Sequence, residues 1–345
     1  KEPGVKPEDK IFAITTISFD AMVMEIFLPL LMGASIVLVD EETRLDGQIL
    51  LQKARKVGIT LIWGTPSIWR ILLDSGWEEP LKIKALIGGE QIPRPLALEL
   101  LERCNELWNI YGPTETTVCA FLTKITEDDD PITIGMPVAN TKAYLLDQKR
   151  NPVIVGEIGE IAICGDGVSL GYLNRTELNS ERFINDPFSS DNEAKMYLSG
   201  DLGKLLSNGQ VQCLGRIDNQ VKIRGHRIEL GEIESVIDNL PDIKKTAVIV
   251  SNHFGSEPKL VAYLQSKGLK DSKIIREKLE EIIPDYLIPS IFMWINEFPI
   301  TTNGKIDLNR LPKPEYIRPD SAPLFRKPKT ELEKIIEKIW KEQLQ

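Results

Sequence analysis

The chemistry of this chain is densest in Asn109-Ile-Tyr-Gly-Pro-Thr-Glu-Thr-Thr117. Ile110 and the residues before it have the character of a short buried strand. Gly112-Pro113 force a turn. Thr114, Glu115, Thr116 and Thr117 then offer hydroxyls and one carboxylate together at the strand's end. Ligands of α/β sheets bind outside the carboxyl ends of strands, and such a set suits a phosphate with its divalent metal. The same pattern also fits an ordinary capped helix start. In Tyr197-Leu-Ser-Gly-Asp-Leu202, Asp201 follows a glycine, where a carboxylate can accept both hydroxyls of a ribose or simply cap a turn. From Gly215 to Glu234, basic and apolar residues alternate before the run turns acidic. Its Arg216, Lys222, Arg224 and Arg227 can grip phosphate or line the solvated face of a strand. In Thr301-Thr-Asn-Gly-Lys-Ile-Asp307 a lone lysine, Lys305, rides on a glycine turn, able to swing into a cleft or to remain on the surface.

These segments need elements to hold them. From residue 11 to about 111, short apolar runs (11–15, 35–39, 59–63, 83–87, 107–111) alternate with helical spacing at 23–31, 48–57, 67–73 and 93–103. That order predicts an α/β fold: a parallel sheet with helices on both faces. Between about 131 and 214 helices are expected to vanish, leaving a β-rich subdomain with strands such as 143–146, 158–164 and 211–214. A second architecture begins near 218, with strands at 221–223, 246–250, 260–264 and 291–295 and helices at 229–240 and 272–283. It reads as a small α+β C-terminal domain. The expected divisions are 1–217, 218–315 and 316–345. The last begins with a Pro-rich linker through Pro319, Pro323 and Pro328 and ends in one amphipathic helix behind the capping box Thr330-x-x-Glu333.

Bulk properties narrow the classes. Of 345 residues, 42% are hydrophobic and 27% charged, as in an ordinary globular protein. A net charge of -9 argues against nonspecific nucleic-acid binding. Two histidines exclude a His-rich metal centre. Cys104, Cys119, Cys164 and Cys213 lack pair spacing and read as reduced thiols of a cytoplasmic protein. No run reaches the roughly 18 apolar residues of a membrane span. The chain opens abruptly with Lys-Glu-Pro-Gly, as though inside a larger protein.

Taken in order, the segments resemble the adenylation domains of nonribosomal peptide synthetases, in the adenylate-forming enzyme superfamily. The resemblance is carried by Phe19-Asp-Ala-Met-Val-Met-Glu25, Asn109 to Thr117, Gly156-Glu-Ile-Gly-Glu-Ile-Ala-Ile, Gly167-Val-Ser-Leu-Gly-Tyr172, Tyr197 to Leu202, Gly215 to Glu234, Leu287-Ile-Pro289 and Asn303-Gly-Lys305. It spans about residues 10 to 315. It implies that an amino acid is joined to ATP as an aminoacyl adenylate, then passed to the phosphopantetheine thiol of a carrier domain. The terminal helix resembles the first helix of such a carrier.

The resemblance also implies roles. Glu115 would hold Mg²⁺ and Thr114 would contact phosphate. Tyr111 would stack on adenine, with Asn109 and the Gly88-Gly89 turn along its edge. Asp201 would take the ribose hydroxyls and Arg216 the ribose or phosphate. Lys305 would bridge the substrate carboxylate and the adenylate oxygens. The small C-terminal domain would be mobile about Asp218, a hinge that exchanges Lys305 for the Gly225-His226 loop during thioester formation. Asp20 would pair with the substrate's α-ammonium, in a pocket walled by Ala21, Met24, Trp63, Ile87, Gly89, Ile110, Val118 and Cys119. Those walls carry no charge, so an apolar amino acid is expected, with a valine-like aliphatic favoured. The family's N-terminal subdomain and its Gly/Ser/Thr-rich phosphate loop have no counterpart here, so the resemblance expects them in cis or in trans. Other expected partners are the downstream carrier domain and further synthetase modules, with no nucleic acid and no membrane. Two other readings stand beside this one: an acyl- or aryl-CoA ligase, and a truncated, non-catalytic platform.

Overall fold

The structure, a computed structural model, describes residues 2–218, 220–251, 253, 258–266, 268, 270–300, 306–315 and 326–343. It divides into two compact units, Lys1–Asp218 and Asn219–Gln345.

The first unit opens as the alternation predicts. Strands β1 (Lys10–Ala13), β2 (Ser35–Leu38), β3 (Leu61–Gly64), β4 (Lys84–Gly88) and β5 (Glu106–Tyr111) pair in parallel in the order β2-β1-β3-β4-β5. Two antiparallel strands, β6 (Phe121–Ile125) and β7 (Met136–Pro137), extend the sheet beyond β5. Successive strand residues point to opposite faces, and the two faces bury different partners. Phe12, Ile62, Ala85, Ile87 and Leu107 pack with the apolar stripes of α4 (Gly47–Val57), α5 (Pro66–Asp74) and α6 (Arg94–Leu101). Ile11, Leu61, Trp63, Leu86, Trp108 and Ile110 pack with Ala21, Phe19 and Met24, around α1 (Met22–Glu25). The helix expected over 23–31 is interrupted at Ile26, giving α1 and then α2 (Phe27–Met32). Short α3 (Glu41–Leu45) precedes α4, and Asp40 and Asp46 cap the two by accepting from Thr43 N and Ile49 N.

The β-rich part is an antiparallel sheet of β8 (Thr141–Leu146), β9 (Ile158–Gly165), β10 (Phe183–Asn185), β11 (Lys195–Leu205) and β12 (Val211–Arg216). The expectation that helices vanish here is corrected by α7 (Thr176–Arg182), a short helix with no buried residue and hence no apolar periodicity to betray it.

The second unit holds the hairpin β13 (Gln220–Ile223) and β14 (His226–Glu229), then α8 (Leu230–Asp238). The three-stranded sheet of β15 (Ile243–Ser251), β16 (Lys259–Ser266) and β17 (Ile291–Trp294) follows, with α9 (Ser272–Glu280) between its last two strands. Ile233 and Ile237 of α8 and Ile275 and Leu279 of α9 share one core with Val248, Leu260, Ala262 and Leu264 of the sheet. Pro319 and Pro323 of the expected linker lie outside the described residues. Helix α10 (Glu331–Gln343) starts at the expected reciprocal cap. Thr330 Oγ1 accepts from Glu333 N, and Glu333 Oε2 accepts from Thr330 N. No helix among the described residues is long and apolar enough to cross a membrane, and the four cysteines form no disulfide.

Candidate functional site

Strand β5 separates two chemical environments, because Ile110 and Tyr111 are consecutive strand residues and must face opposite ways. On the Ile110 face lies a small, solvent-open cavity lined by Phe19, Asp20, Ala21, Met24, Trp63, Gly89, Ile110, Gly112 and Val118. Of the expected pocket residues, Asp20, Ala21, Met24, Trp63, Gly89, Ile110 and Val118 line it, whereas Ile87 and Cys119 do not. Ile87 is fully buried on the other face, against α4 to α6. Its neighbour Leu86 is the β4 residue that shares the Trp63 and Ile110 face. Burial holds the Cys119 thiol up at about 12, so it stays protonated.

Two polar atoms of the cavity lining are buried without a hydrogen-bond partner: Asp20 Oδ2 and Trp63 Nε1. A buried carboxylate oxygen left unpaired is costly, and it marks a place where a ligand cation fits. Asp20 is presented by a loop with firm anchors. The buried Glu25 in α1 accepts Ile14 N and Thr15 N at 3.0 and 2.8 Å through Oε2, and Thr15 Oγ1 at 2.8 Å through Oε1. Burial raises the Glu25 carboxyl to about 7, against the opposing effect of those hydrogen bonds. The far wall is strained. Thr117 and Val118 are β-branched residues at φ 62° and 66°, a region such residues rarely adopt. The backbone there runs so close to Gly112 that a Cβ at 112 would lie 2.4 Å from Val118 O.

On the Tyr111 face the β-rich sheet supplies the partners. β11 carries a bulge against β9: Leu198 pairs with Ala162, but Leu202 pairs with Glu160. The extra residues re-aim the chain, and Asp201 is among them. Its backbone is tied by Ser199 Oγ and that of Gly200 by Glu160 Oε1. Asp201, 5% exposed, accepts Tyr111 OH at 2.5 Å and Arg216 Nη1 at 2.8 Å. Desolvation first, then the adjacent Asp201 charge, pushes the Tyr111 hydroxyl well above its usual range, so it stays a donor. Tyr111, Asp201 and Arg216 are thus brought together. Asn109, on the same face, donates to Thr133 O at 2.7 Å. Gly88 meets the β5 backbone so closely that a Cβ would lie 2.3 Å from Ile110 O. Asp218 accepts Arg216 Nε and Nη2 at 2.7 and 2.8 Å.

The turn after β5 is clamped by the 167–172 segment. Thr117 Oγ1 donates to Gly167 O, Ser169 N donates to Glu115 O, and Tyr172 OH donates to Glu115 Oε1. Glu115 is 7% exposed, while Thr114 is exposed to solvent. Sequence reasoning missed Tyr172. Its signal is weak, a tyrosine after a Gly-rich run, 57 residues from the carboxylate it holds. Among the described residues no group of three or more His, Cys, Asp or Glu could hold a metal by protein ligands alone. A single buried carboxylate beside exposed hydroxyls would instead suit a divalent cation that comes with a phosphate.

In the second unit, Arg224 and Gly225, at φ 52° and 80°, form the two-residue tip between β13 and β14. Positive φ at both central residues is the type I′ hairpin geometry. His226, next in line, stacks on Tyr286 with ring centroids 4.0 Å apart. Arg227 Nε donates to Gln220 Oε1 at 2.6 Å. Lys305, with the Thr301 to Gly304 turn before it, lies outside the described residues.

Residues 1–173 match the profile described as AMP-binding enzyme. The chain is 38% identical over 332 residues to a dimodular nonribosomal peptide synthase of Bacillus subtilis (strain 168), covering 95% of this chain and 14% of that protein. It is 39% identical over 313 residues to bacitracin synthase 1 of Bacillus licheniformis, covering 89% of this chain and 6% of that one. A solved four-domain nonribosomal peptide synthetase bound to AMP and glycine shares 38% identity at a TM-score of 0.60, over 91% of this chain and 24% of that chain. A synthetase protein containing adenylation and PCP domains, bound to a vinylsulfonamide inhibitor, superposes at a TM-score of 0.77 with 28% identity, over 88% of this chain and 53% of that one. The chain spans only a small part of the two synthases, 14% and 6% of their lengths. It belongs to the AMP-binding enzyme family of adenylate-forming ligases, among relatives that are nonribosomal peptide synthetases.

Proposed function

We propose that this chain activates an amino acid with ATP. A carboxylate oxygen of the amino acid attacks the α-phosphorus, the bond from that phosphorus to the bridging oxygen breaks, and pyrophosphate leaves. The aminoacyl group then passes to the phosphopantetheine thiol of a carrier domain, releasing AMP. Such an attack needs alignment and charge neutralisation more than acid-base groups. In this reading Asp20 holds the α-ammonium, while Asp201 and Arg216 take the ribose and its phosphate. Thr114 contacts phosphate, and Glu115 would hold a Mg²⁺, which when bound would neutralise phosphate charge. Tyr111 and the Gly88-Gly89 turn flank the base. Lys305 adds a cation for the substrate carboxylate and the adenylate oxygens, Asp218 is the hinge, and Gly225 and His226 belong to the thioester half-reaction.

The observation that carries the reading is the unpartnered, buried Oδ2 of Asp20 in an otherwise uncharged cavity. An acyl- or aryl-CoA ligase would have no use for that carboxylate, since its substrate has no amine. Ala21, Met24, Ile110 and Val118 add no charge, so a charged substrate side chain would be stranded. We propose a small aliphatic substrate of valine-like size. The test is amino-acid-dependent exchange of pyrophosphate into ATP by the full-length protein across the proteinogenic set. The reading expects the strongest exchange with aliphatic amino acids. Exchange with none of them would remove it.

A further inference from the structure

The division between the two units falls immediately after Asp218, and the carboxylate of that residue is held by two arginines. Arg216 grips it bidentately, through Nε at 2.7 Å and Nη2 at 2.8 Å, while Arg182 Nη2 reaches the same Oδ2 at 3.1 Å. Arg216 is shared, because its Nη1 also serves Asp201 at 2.8 Å. A continuous chain therefore runs Tyr111, Asp201, Arg216, Asp218, Arg182. Arg216 and Asp201 are 12% and 8% exposed at their side chains, against 30% and 28% for Arg182 and Asp218, so the chain leads from the buried interior toward solvent.

Two further observations show that the arrangement is built. Gly200 sits at φ 75°, and a Cβ there would lie 2.7 Å from Arg216 Nη2, 3.0 Å from Asp218 Oδ2 and 3.1 Å from Arg182 Nη1. Glycine suits this positive φ, and a Cβ there would push the three charged side-chain ends out of their present places. Arg182 ends α7 directly before Phe183, whose buried ring packs between Tyr172 and Tyr197 at centroid distances of 5.3 and 5.1 Å. Arg182 is therefore anchored through the buried residue that follows it.

We infer that Arg182 is a positioning residue for the backbone joint after Asp218, retaining that carboxylate when bound nucleotide recruits Asp201 and Arg216. The inference rests on the adenylate-forming reading above for its ligand. Ribose hydroxyls on Asp201 compete with Arg216 Nη1, and a phosphate near Arg216 competes with Asp218 for the same guanidinium. Arg216 cannot satisfy all of these at full strength, whereas Arg182 bonds to Asp218 and keeps its hold there. Occupancy at the nucleotide site is thereby linked to the joint, with Arg182 setting how far the joint is released.

The test uses the full-length protein with fluorophores at exposed Glu127 and Glu280, one in each unit, and a non-hydrolysable ATP analogue as the probe. Arg182→Gln should leave the distance distribution of the ligand-free protein close to wild type and broaden that of the analogue-bound protein. It should also change the ratio of thioester formation to pyrophosphate exchange by roughly three- to tenfold, the range for one partly exposed, charge-assisted hydrogen bond. Arg182→Lys, which keeps the charge but loses the fork, should restore most of the wild-type distribution. Unchanged analogue-bound distances in Arg182→Gln would overturn the inference. Equal broadening with and without the analogue would also overturn it, since that is a merely structural role. Absence of exchange in the wild type strikes the activity reading instead, and the distance measurement still decides the role of Arg182.

Discussion

Replacing Asp20 by asparagine keeps its shape and removes its charge, and the structure fixes the sign of two separate consequences. Oδ2 is buried and has no hydrogen-bond partner within the protein. The folded protein therefore carries a desolvation penalty that asparagine reduces. Its unfolding temperature should be equal to or above that of the wild type. The amino acid, by contrast, loses its counter-ion. Truncating one partner of a buried, hydrogen-bonded charge pair costs about 2–5 kcal/mol. The Asp20 side chain is only partly buried as a whole, so the lower part of that range applies, about 2–3 kcal/mol or roughly 30- to 150-fold in kcat/KM for the amino acid. The KM for ATP should move by less than roughly threefold, because Asp20 lies on the opposite face of β5 from Asp201 and Arg216. The assay is pyrophosphate exchange with the preferred amino acid, beside a thermal melt of the same preparation. A variant with near wild-type kcat/KM would refute the ammonium assignment. A variant that lost activity only by losing stability would refute the claim that this carboxylate is held for a ligand.

Three other perturbations follow from the same geometry. Glu25 is raised from 4.5 to about 7 by burial, so the folded state binds its proton more tightly than the unfolded one. Its contribution to stability is greatest below pH 4.5 and is lost as pH rises through about 7, by at most about 3 kcal/mol. Glu25→Gln should flatten that slope in denaturant titrations at pH 5, 6 and 7, since its amide oxygen can still accept from Ile14 N and Thr15 N; an unchanged slope would show that another group sets it. Trp63→Phe removes the unpartnered N–H but also deletes buried ring volume, so the two effects oppose and stability should move by less than about 1 kcal/mol while exchange with aliphatic amino acids is spared. A selective loss of exchange would instead mean that the indole pairs with the substrate. Val118→Gly relieves a positive-φ, β-branched residue costing about 1–2 kcal/mol and opens the cavity wall. Exchange should shift toward larger apolar side chains, and an unaltered preference would remove Val118 from the specificity wall.

The first five strands were legible because each is a short apolar run bounded by turn residues, with helical spacing between them. The pocket was less so, for a reason visible at β4. Ala85-Leu-Ile-Gly-Gly89 is apolar on both faces, as strands buried on both sides are, so no alternation tells which residue faces the cavity. The register with Trp63 and Ile110 selects Leu86 and places Ile87 in the opposite core. Asp201 could be singled out as a carboxylate following a glycine in a polar segment, whereas Asp20 was marked only by the resemblance of its segment to adenylation domains. The bulge that aims Asp201 depends on pairing with β9, which no local pattern encodes. Tyr172 on Glu115 and Arg182 on Asp218 are likewise long-range contacts between residues that look ordinary alone. Helix α7 escaped because none of its residues is buried.

The most direct test pairs each exchange-supporting amino acid with the same carboxylic acid lacking its amine, at equal concentration in the full-length protein. Valine against 3-methylbutanoic acid is the first such pair. The account predicts exchange with the amino acid and at least roughly 30-fold less with its desamino counterpart, the lower end of the loss expected for an unpaired buried charge. Equal exchange with both acids would contradict it, because the cavity would then be recognising the carbon skeleton with no ammonium for Asp20 to hold.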